Sequence, residues 1–262
     1  MNPAVTIAQR AARKAGMLIM RHLDRVDSLK VTTKQRNDFV SEVDQLAEME
    51  IVHGIRKAYP DHAFLGEEGG VQGESDHVWV IDPLDGTTNF LHGFPHFAVS
   101  IALKVRGRLE AAVVYDPFKQ ESFSAARGGG AYLNERRIRV SRRAGLEGAL
   151  IATGFPFRTQ EHLPRFLDIL REVLSQTAGV RRAGSAALDL AYTAAGRVDG
   201  YWEYGLKEWD IAAGALLVKE AGGLVCDFEG AEGYLQSGNI VCGAPKVLKG
   251  LLPLIQASGR EG

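Results

Sequence analysis

Two aspartates three residues apart, Asp82 and Asp85, close an apolar run in the stretch WVIDPLDGTTNF (79–90), and Gly86, Thr87, Thr88 and Asn89 follow at once. Carboxylates a few ångströms apart repel unless one is protonated or a cation sits between them. Hard oxygen ligands from Asp, Glu, water and backbone carbonyl suit Mg²⁺. The residues after the acids read as a helix start, whose N–H groups suit an anion such as phosphate. The pattern describes a place where a metal ion and a phosphate meet; its bland alternative is an Asp/Asn-rich turn with two exposed acids. Further acids stand at comparable places: Glu67 and Glu68 after the strand AFLG, Asp44 early in a helix, and Asp210 directly after Trp209. Each alone is more often a capping or first-turn acid. Several together strengthen the case for a multi-carboxylate metal site.

The elements that must position these acids are legible from periodicity. Apolar residues Ile7, Ala8, Ala11, Ala15, Leu18 and Ile19 share one face of a helix over 5–23. A second helix follows Ser41, with Val43, Leu46, Ala47, Ile51 and Ile55 on its stripe and Pro60 as the expected stop. HAFLG and HVWVID read as strands. A residue before proline is pushed toward extended geometry, so Asp82 should end the second strand while Pro83-Leu84 starts a turn. Gly86 permits left-handed backbone there, and Thr87-Thr88-Asn89 supplies a helix-capping sequence. FAVSIALKV and RLEAAVVYD pair as a hairpin across Arg106-Gly107, ESFSAARG adds a strand, and this antiparallel section ends near Ser141.

After Ser141 the rhythm changes. ALIATGF reads as a strand, 163–174 as a helix, SAALDLAYTAAG as a helix, DGYWEY as a strand, and WDIAAGALLVKEAGG as a helix closed by glycines. LVCDF and NIVCGA are short buried strands before a last helix. The expected domains are an α+β lobe over 1–141 and an alternating α/β lobe over 142–262, packed as one compact unit. Alternation sets Glu203 on the opposite strand face from Trp202 and Tyr204, leaving it to meet a polar ligand. Asp189 has a functional reading, but a helix-packing polar contact is the favoured one, and His92 and His96 read as supporting or surface groups.

With 262 residues the chain can bury a substantial core. Lys+Arg total 31 against 32 Asp+Glu, a balance that argues against a dominant nucleic-acid or membrane-surface role. The local clusters Arg136/Arg137/Arg139, Arg142/Arg143 and Arg181/Arg182 read as solvated faces or subunit contacts. Cys226 and Cys242 lack metal-ligand spacing and sit in apolar runs, as buried thiols of a reducing compartment do. Arg10, Arg13 and Lys14 interrupt any signal-peptide core, and no run approaches the about 20 apolar residues of a membrane span. The expectation is a soluble, cytoplasmic protein without a membrane partner.

These motifs together resemble the inositol monophosphatase family of Mg²⁺-dependent, lithium-sensitive phosphatases. WVIDPLDGTTNF is similar to its first signature and WDIAAG (209–214), followed by EAGG, to its second. Gly66-Glu67-Glu68 and the segment from Lys34 through Asp38-Phe39-Val40 to Asp44 match as well, in the family's order. The resemblance implies an α+β fold, a layered αβαβα sandwich of the inositol monophosphatase and fructose-1,6-bisphosphatase type. It also implies site roles. Glu67, Asp82 and the Leu84 carbonyl would hold a first Mg²⁺, Asp82, Asp85 and Asp210 a second, with a third, weaker ion leaning on Glu67 and water. Thr87, oriented by Asp44 and working with Glu67, would position and help deprotonate an attacking water. Gly86 and Thr87 amides would receive the phosphate. Gly184, Ser185, Ala186, Glu203 and Asp85 would contact the substrate. Ser41, Gly69-Gly70 and Ser185 depart from common family residues without touching a proposed ligand.

The implied activity is hydrolysis of inositol 1-phosphate and related small polyol phosphates by direct attack of water. An aspartyl-phosphate mechanism competes with it, but Pro83-Leu84 separates the acids where that chemistry needs DxD spacing. Nucleotide bisphosphates, fructose 1,6-bisphosphate and histidinol phosphate are alternative substrates, with Lys207 or Arg182 as the basic partner a second anionic group would want. RRAGSAALDLAYTAAGRVDG and ATGFPF resemble the bacterial SuhB-type branch of the family, which implies a homodimer and a second role as a partner of the ribosomal RNA antitermination machinery.

Overall fold

The computed structural model describes residues 2–23, 25–26, 31–35, 38–156 and 160–257; the side chains of 31–41 and Gln160 fall outside it, and with them the Lys34 to Ser41 part of the segment leading to Asp44. In chain order the first half contains α1 (Pro3–Leu23), β1 (Val31–Gln35), β2 (Asp38–Ser41), α2 (Glu42–Arg56), β3 (Ala63–Gly66), β4 (Gly70–Gln72), β5 (His77–Asp85), α3 (Thr87–Leu91), β6 (Ala98–Val105), β7 (Arg108–Asp116), β8 (Glu121–Ala126), β9 (Gly130–Leu133) and β10 (Arg136–Ile138). The second half contains β11 (Leu150–Thr153), α4 (Leu163–Gln176), β12 (Gly179–Arg181), α5 (Ala186–Ala194), β13 (Gly200–Glu203), α6 (Glu208–Glu220), β14 (Leu224–Cys226), α7 (Tyr234–Ser237), β15 (Ile240–Gly243) and α8 (Pro245–Ala257).

Two larger sheets carry the fold. The first has eight strands in the order β10-β9-β8-β7-β6-β5-β3-β4, antiparallel except for the parallel pair β3 and β5. The second has five strands, β12-β11-β13-β15-β14, with β11 parallel to both neighbours. Helices α1 and α2 cover one face of the eight-stranded sheet. Helices α5 and α6 cover its other face, and α5 touches the five-stranded sheet as well. Helices α4 and α8 lie against the five-stranded sheet in turn. The order is helix, sheet, helix, sheet, helix: the layered αβαβα sandwich expected from the sequence. No described helix is long and apolar enough to cross a membrane.

Three apolar clusters fill the gaps between layers. One lies between α1, α2 and the eight-stranded sheet, with Ile19, Ile51, Phe64, Trp79 and Ile101 at its heart. The middle one draws on both halves of the chain, joining Val80, Val114 and Phe123 to Leu190, Tyr201 and Leu216. The third places Ile151, Phe166, Trp202 and Leu251 together. Cys226 and Cys242 are free and buried, as their apolar surroundings predicted.

Several boundaries differ from the sequence reading. Helix α2 ends at Arg56, four residues before Pro60, so the proline does not stop it. Strand β5 does not end at Asp82 but runs on to Asp85 through an irregularity. Helix α3 begins at Thr87, with Gly86 rather than a Thr or Asn side chain at its N-cap. Strands β4, β9, β10 and β12 are three or four residues each, too short for alternation to show.

The helices of the middle layer approach closely at one position. A Cβ on Gly214 of α6 would stand 2.4 Å from the Cβ of Leu190 on α5, far inside van der Waals contact. Overpacking of this kind costs about 1–3 kcal/mol. Gly214→Val should therefore lower the melting temperature by about 5 °C; calorimetric unfolding checks this, and an unchanged melting temperature would contradict the packing described.

Candidate active site

The two motif aspartates meet because of a bulge. In a regular strand, residues three apart point to opposite faces. Here the pairing with β6 steps from Asp82↔Ser100 to Asp85↔Ala98, three residues on β5 against two on its neighbour. The extra residue returns Asp85 to the face of Asp82. Pro83 occupies the bulge, where its missing N–H breaks no ladder bond. The Leu84 N–H turns back to Asp82 Oδ1 at 3.0 Å and fixes that carboxylate.

Neighbouring elements bring in the other acids. Parallel pairing sets Gly66 level with Ile81, so Glu67 leaves β3 beside Asp82, and its N–H bonds to Ile81 O at 3.1 Å. Buried Glu48 on α2 holds the turn that follows, accepting from Glu68 N–H at 2.9 Å and Gly69 N–H at 2.7 Å. Ser100, opposite Asp82 on β6, donates to the Trp209 carbonyl at 3.2 Å and fixes the start of α6. Asp210 is the third residue of that helix, where Lys207 N–H reaches its Oδ2 at 2.7 Å. Asp85 Oδ2 accepts from Ser185 Oγ at 2.6 Å and Ala187 N–H at 2.7 Å, at the N-terminus of α5.

Glu67, Asp82, Leu84, Asp85 and Asp210 line one cleft of about 510 Å³, together with Gly86, Thr87, Gly184, Ser185, Ala186 and Glu203. Only Asp44 among the expected site residues stands outside that lining, and it acts through Thr87. Asp82 is 1% exposed, and its pKa is raised well above the ordinary value, first by burial and then by the charges of Glu67, Asp85 and Asp210. Burial pushes Asp85 up to about 6, against the bonds from Ser185 and the α5 amides. Among the described residues no three His, Cys, Asp or Glu groups form a ready-made cage. The oxygen-only donor set and the raised pKa values of Asp82 and Asp85 nevertheless fit a hard divalent cation, which would favour the charged form of those two acids.

Beside the acids, Thr87 Oγ1 lies 3.0 Å from Asp44 Oδ1 and 3.0 Å from Leu84 O. One hydroxyl proton serves two acceptors, so Thr87 donates to one of them at a time. Gly86 has φ +93°, and a Cβ there would meet His96 O at 3.0 Å and Gly184 O at 3.3 Å. The chain passes so close because Asn89 Nδ2 donates to His96 O at 2.7 Å and to Ala183 O at 2.9 Å, tying the α3 turn to the start of α5. His96 is buried, which lowers its pKa to about 4; it supports this turn from below and is not a surface group.

At the far end of the cleft, alternation on β13 holds as expected. Trp202 enters the third cluster while Glu203 faces the cleft and accepts from Tyr201 Oη at 2.6 Å; Tyr204, just past the strand, packs in that cluster and also borders the cleft. A Cβ on Gly154 would sit about 2 Å from the Glu203 carboxylate, so glycine leaves that acid its room. Two expectations are corrected. Asp189 is not a helix-packing contact, because it lines the cleft. Of the two basic residues named for a second anionic group, Lys207 does not line the cleft, whereas exposed Arg182 does, its guanidinium 4.9 Å over Phe155. Glu48, Asn89 and Ser100 escaped the sequence reading; the only signal for Glu48 was an acid on the wrong face of an apolar stripe.

Known proteins share this arrangement of elements. The Nus factor SuhB of Pseudomonas aeruginosa is 59% identical over 262 residues, covering 98% of this chain and 97% of that protein. The crystal structure of the extragenic suppressor protein suhB from Bartonella henselae superposes with a TM-score of 0.93 at 45% identity, covering 98% of each chain. The inositol monophosphatase from Anabaena superposes with a TM-score of 0.87 at 37% identity, over 97% of this chain and 95% of that one. The sequence model of the inositol monophosphatase family matches residues 1–260. With its fold and nearly its whole length in common with these proteins, the chain belongs to the inositol monophosphatase family.

Proposed function

We propose that the protein is a Mg²⁺-dependent phosphomonoesterase that hydrolyses inositol 1-phosphate and related small polyol phosphates, working in the cytoplasm as a homodimer. The observation that carries this reading is the convergence of Glu67, Asp82, Asp85 and Asp210 on one cleft beside the Gly86-Thr87 turn. Glu67, Asp82, Asp85, Asp210 and the Leu84 carbonyl are the residues that would hold two to three Mg²⁺. Bound there, Mg²⁺ offsets phosphate charge and lowers the pKa of water.

The chain's own groups account for the rest. Asp82 is fixed by its bond from Leu84, and Asp85 by Ser185 and Ala187, so neither carboxylate must reorganise when phosphate enters. The first N–H groups of α3 have no intrahelical acceptor and suit the phosphate oxygens. When Thr87 donates its proton to Asp44 Oδ1, its oxygen lone pairs accept one hydrogen of a water, and Glu67 takes the other proton as that water attacks phosphorus and the ester P–O bond breaks, the leaving polyol oxygen taking a proton from solvent. Glu203 accepts a hydroxyl of the polyol. No phosphoaspartate is formed, because the repelling pair is arranged for cation binding and not for one acid to act on the other.

A second reading draws on the name Nus factor SuhB borne by the relative from Pseudomonas aeruginosa. In it, the chain is a binding partner in ribosomal RNA transcription antitermination, with the phosphatase activity secondary. Exposed Arg136 and Arg137 on the edge strand β10, together with Arg142, Arg143 and Arg181, are its candidate surface.

Phosphate release from inositol 1-phosphate should require Mg²⁺ and vanish in EDTA. Asp82→Asn should lose more than the roughly 10–100-fold that removing a ligand's supporting partner costs; turnover without metal would contradict the assignment. The same variant separates the two readings in the cell. Loss of cellular function favours the enzyme, while full retention with no phosphatase activity makes binding the principal role.

A further inference from the structure

Four acids at or behind the proposed catalytic end of the cleft are held by hydrogen bonds from the chain. Leu84 holds Asp82, Ser185 and Ala187 hold Asp85, Lys207 holds Asp210, and Glu68 and Gly69 hold Glu48. Asp189 differs. It sits in the first turn of α5, 3% exposed, and lines the cleft. Its backbone is satisfied: the N–H bonds to Ser185 O at 3.0 Å, and its carbonyl accepts from Thr193 Oγ1 at 2.8 Å. Its carboxyl bonds to no described residue, by hydrogen bond or ion pair. The charges that act on it are Glu203 first, then Asp85, with Arg182 opposing them.

A buried carboxyl without a partner is costly, and it contributes nothing to holding α5 in place. The helix would pack as well with alanine there. The group makes sense through what enters the cleft. Glu203, the strongest charge acting on it, is the acid proposed to take a polyol hydroxyl.

Building on the polyol phosphate reading, we propose that Asp189 is a specificity-determining residue, whose carboxyl receives a hydroxyl of the polyol next to the one that reaches Glu203. Two acids side by side suit a ligand that presents neighbouring hydroxyl donors and disfavour one that brings a second phosphate, in spite of Arg182 nearby. The cleft then selects cyclic polyol monophosphates over bisphosphates and over simple esters.

The test uses the full chain with Mg²⁺ and two substrates, inositol 1-phosphate and phenyl phosphate, which has no hydroxyl. Asp189→Ala should raise KM for inositol 1-phosphate about 10-fold with little change in kcat, the loss expected for one hydrogen bond. The ratio of kcat/KM for inositol 1-phosphate over phenyl phosphate should fall by a similar factor. Asp189→Asn keeps an acceptor and should recover most of that ratio. The melting temperature of Asp189→Ala should equal or exceed that of the parent protein. An unchanged ratio, or an equal loss on both esters with a lowered melting temperature, would overturn the proposal. If the parent protein hydrolyses neither ester, the phosphatase reading fails, and calorimetric binding of myo-inositol then judges the subsite alone. Weaker binding by Asp189→Ala supports it; equal binding, or none to either protein, overturns it.

Discussion

Mutual repulsion among carboxylates is the constraint around which this molecule is organised. Glu67 follows β3, Asp82 and Asp85 lie on β5 and Asp210 on α6; these three elements bring the four acids to one cleft, where the charges of Glu67, Asp85 and Asp210 each raise the cost of charging Asp82. No isolated strand or helix would hold them there. The fold does so with bonds that run from backbone to acid: Leu84 N–H to Asp82, Ala187 N–H to Asp85 and Lys207 N–H to Asp210. Each fixes a carboxylate oxygen, so the strain resides in electrostatics and not in loose side chains. In the proposed function a cation would relieve that strain, and the same geometry would then serve a phosphate.

The layers explain how the acids converge. Parallel β3 ends at Gly66, level with Ile81 of β5, which sets Glu67 beside Asp82, near the strand ends where open sheets commonly bind ligands. The middle helices α5 and α6 point their N-termini at that spot and belong to the core shared by both halves of the chain. Ser100 fixes one helix and the Asp85–Ser185 bond the other. Close packing of Gly214 on Leu190 keeps the two helices in step. Stability and the placement of the acids therefore depend on the same contacts, whereas the Asp189 carboxyl bonds to no described residue.

Much of this was legible in the sequence, for physical reasons that can be named. The signature stretches carry rare combinations of acids, glycine and hydroxyls, so they pointed to the site as well as to the family. Alternation placed Glu203 correctly because β13 is flanked by aromatics that must be buried. The bulge was not legible: Asp82-Pro83 suggested a strand end, and only pairing with β6 shows the extra residue that turns Asp85 inward. Glu48 and Asn89 were missed because their value lies in backbone groups 20 and 94 residues away, which no local pattern reports. Asp189 and Lys207 were misplaced for a related reason. Whether a polar residue near a helix start meets the core or a cleft depends on what packs opposite.

The central claim is that a cation offsets the repulsion of these acids, and thermal unfolding with and without Mg²⁺ at two pH values tests it most directly. Burial raises the Asp85 pKa from 3.8 to about 6, so the metal-free folded chain binds more protons than the unfolded one between those values, and this group's contribution to stability falls as pH rises through that window. At pH 5 protons compete with the cation; at pH 7.5 they do not. Mg²⁺ should therefore raise the melting temperature clearly more at pH 7.5 than at pH 5, and Asp82→Asn should reduce that gain. An equal rise at both pH values, or none at pH 7.5, would contradict the account.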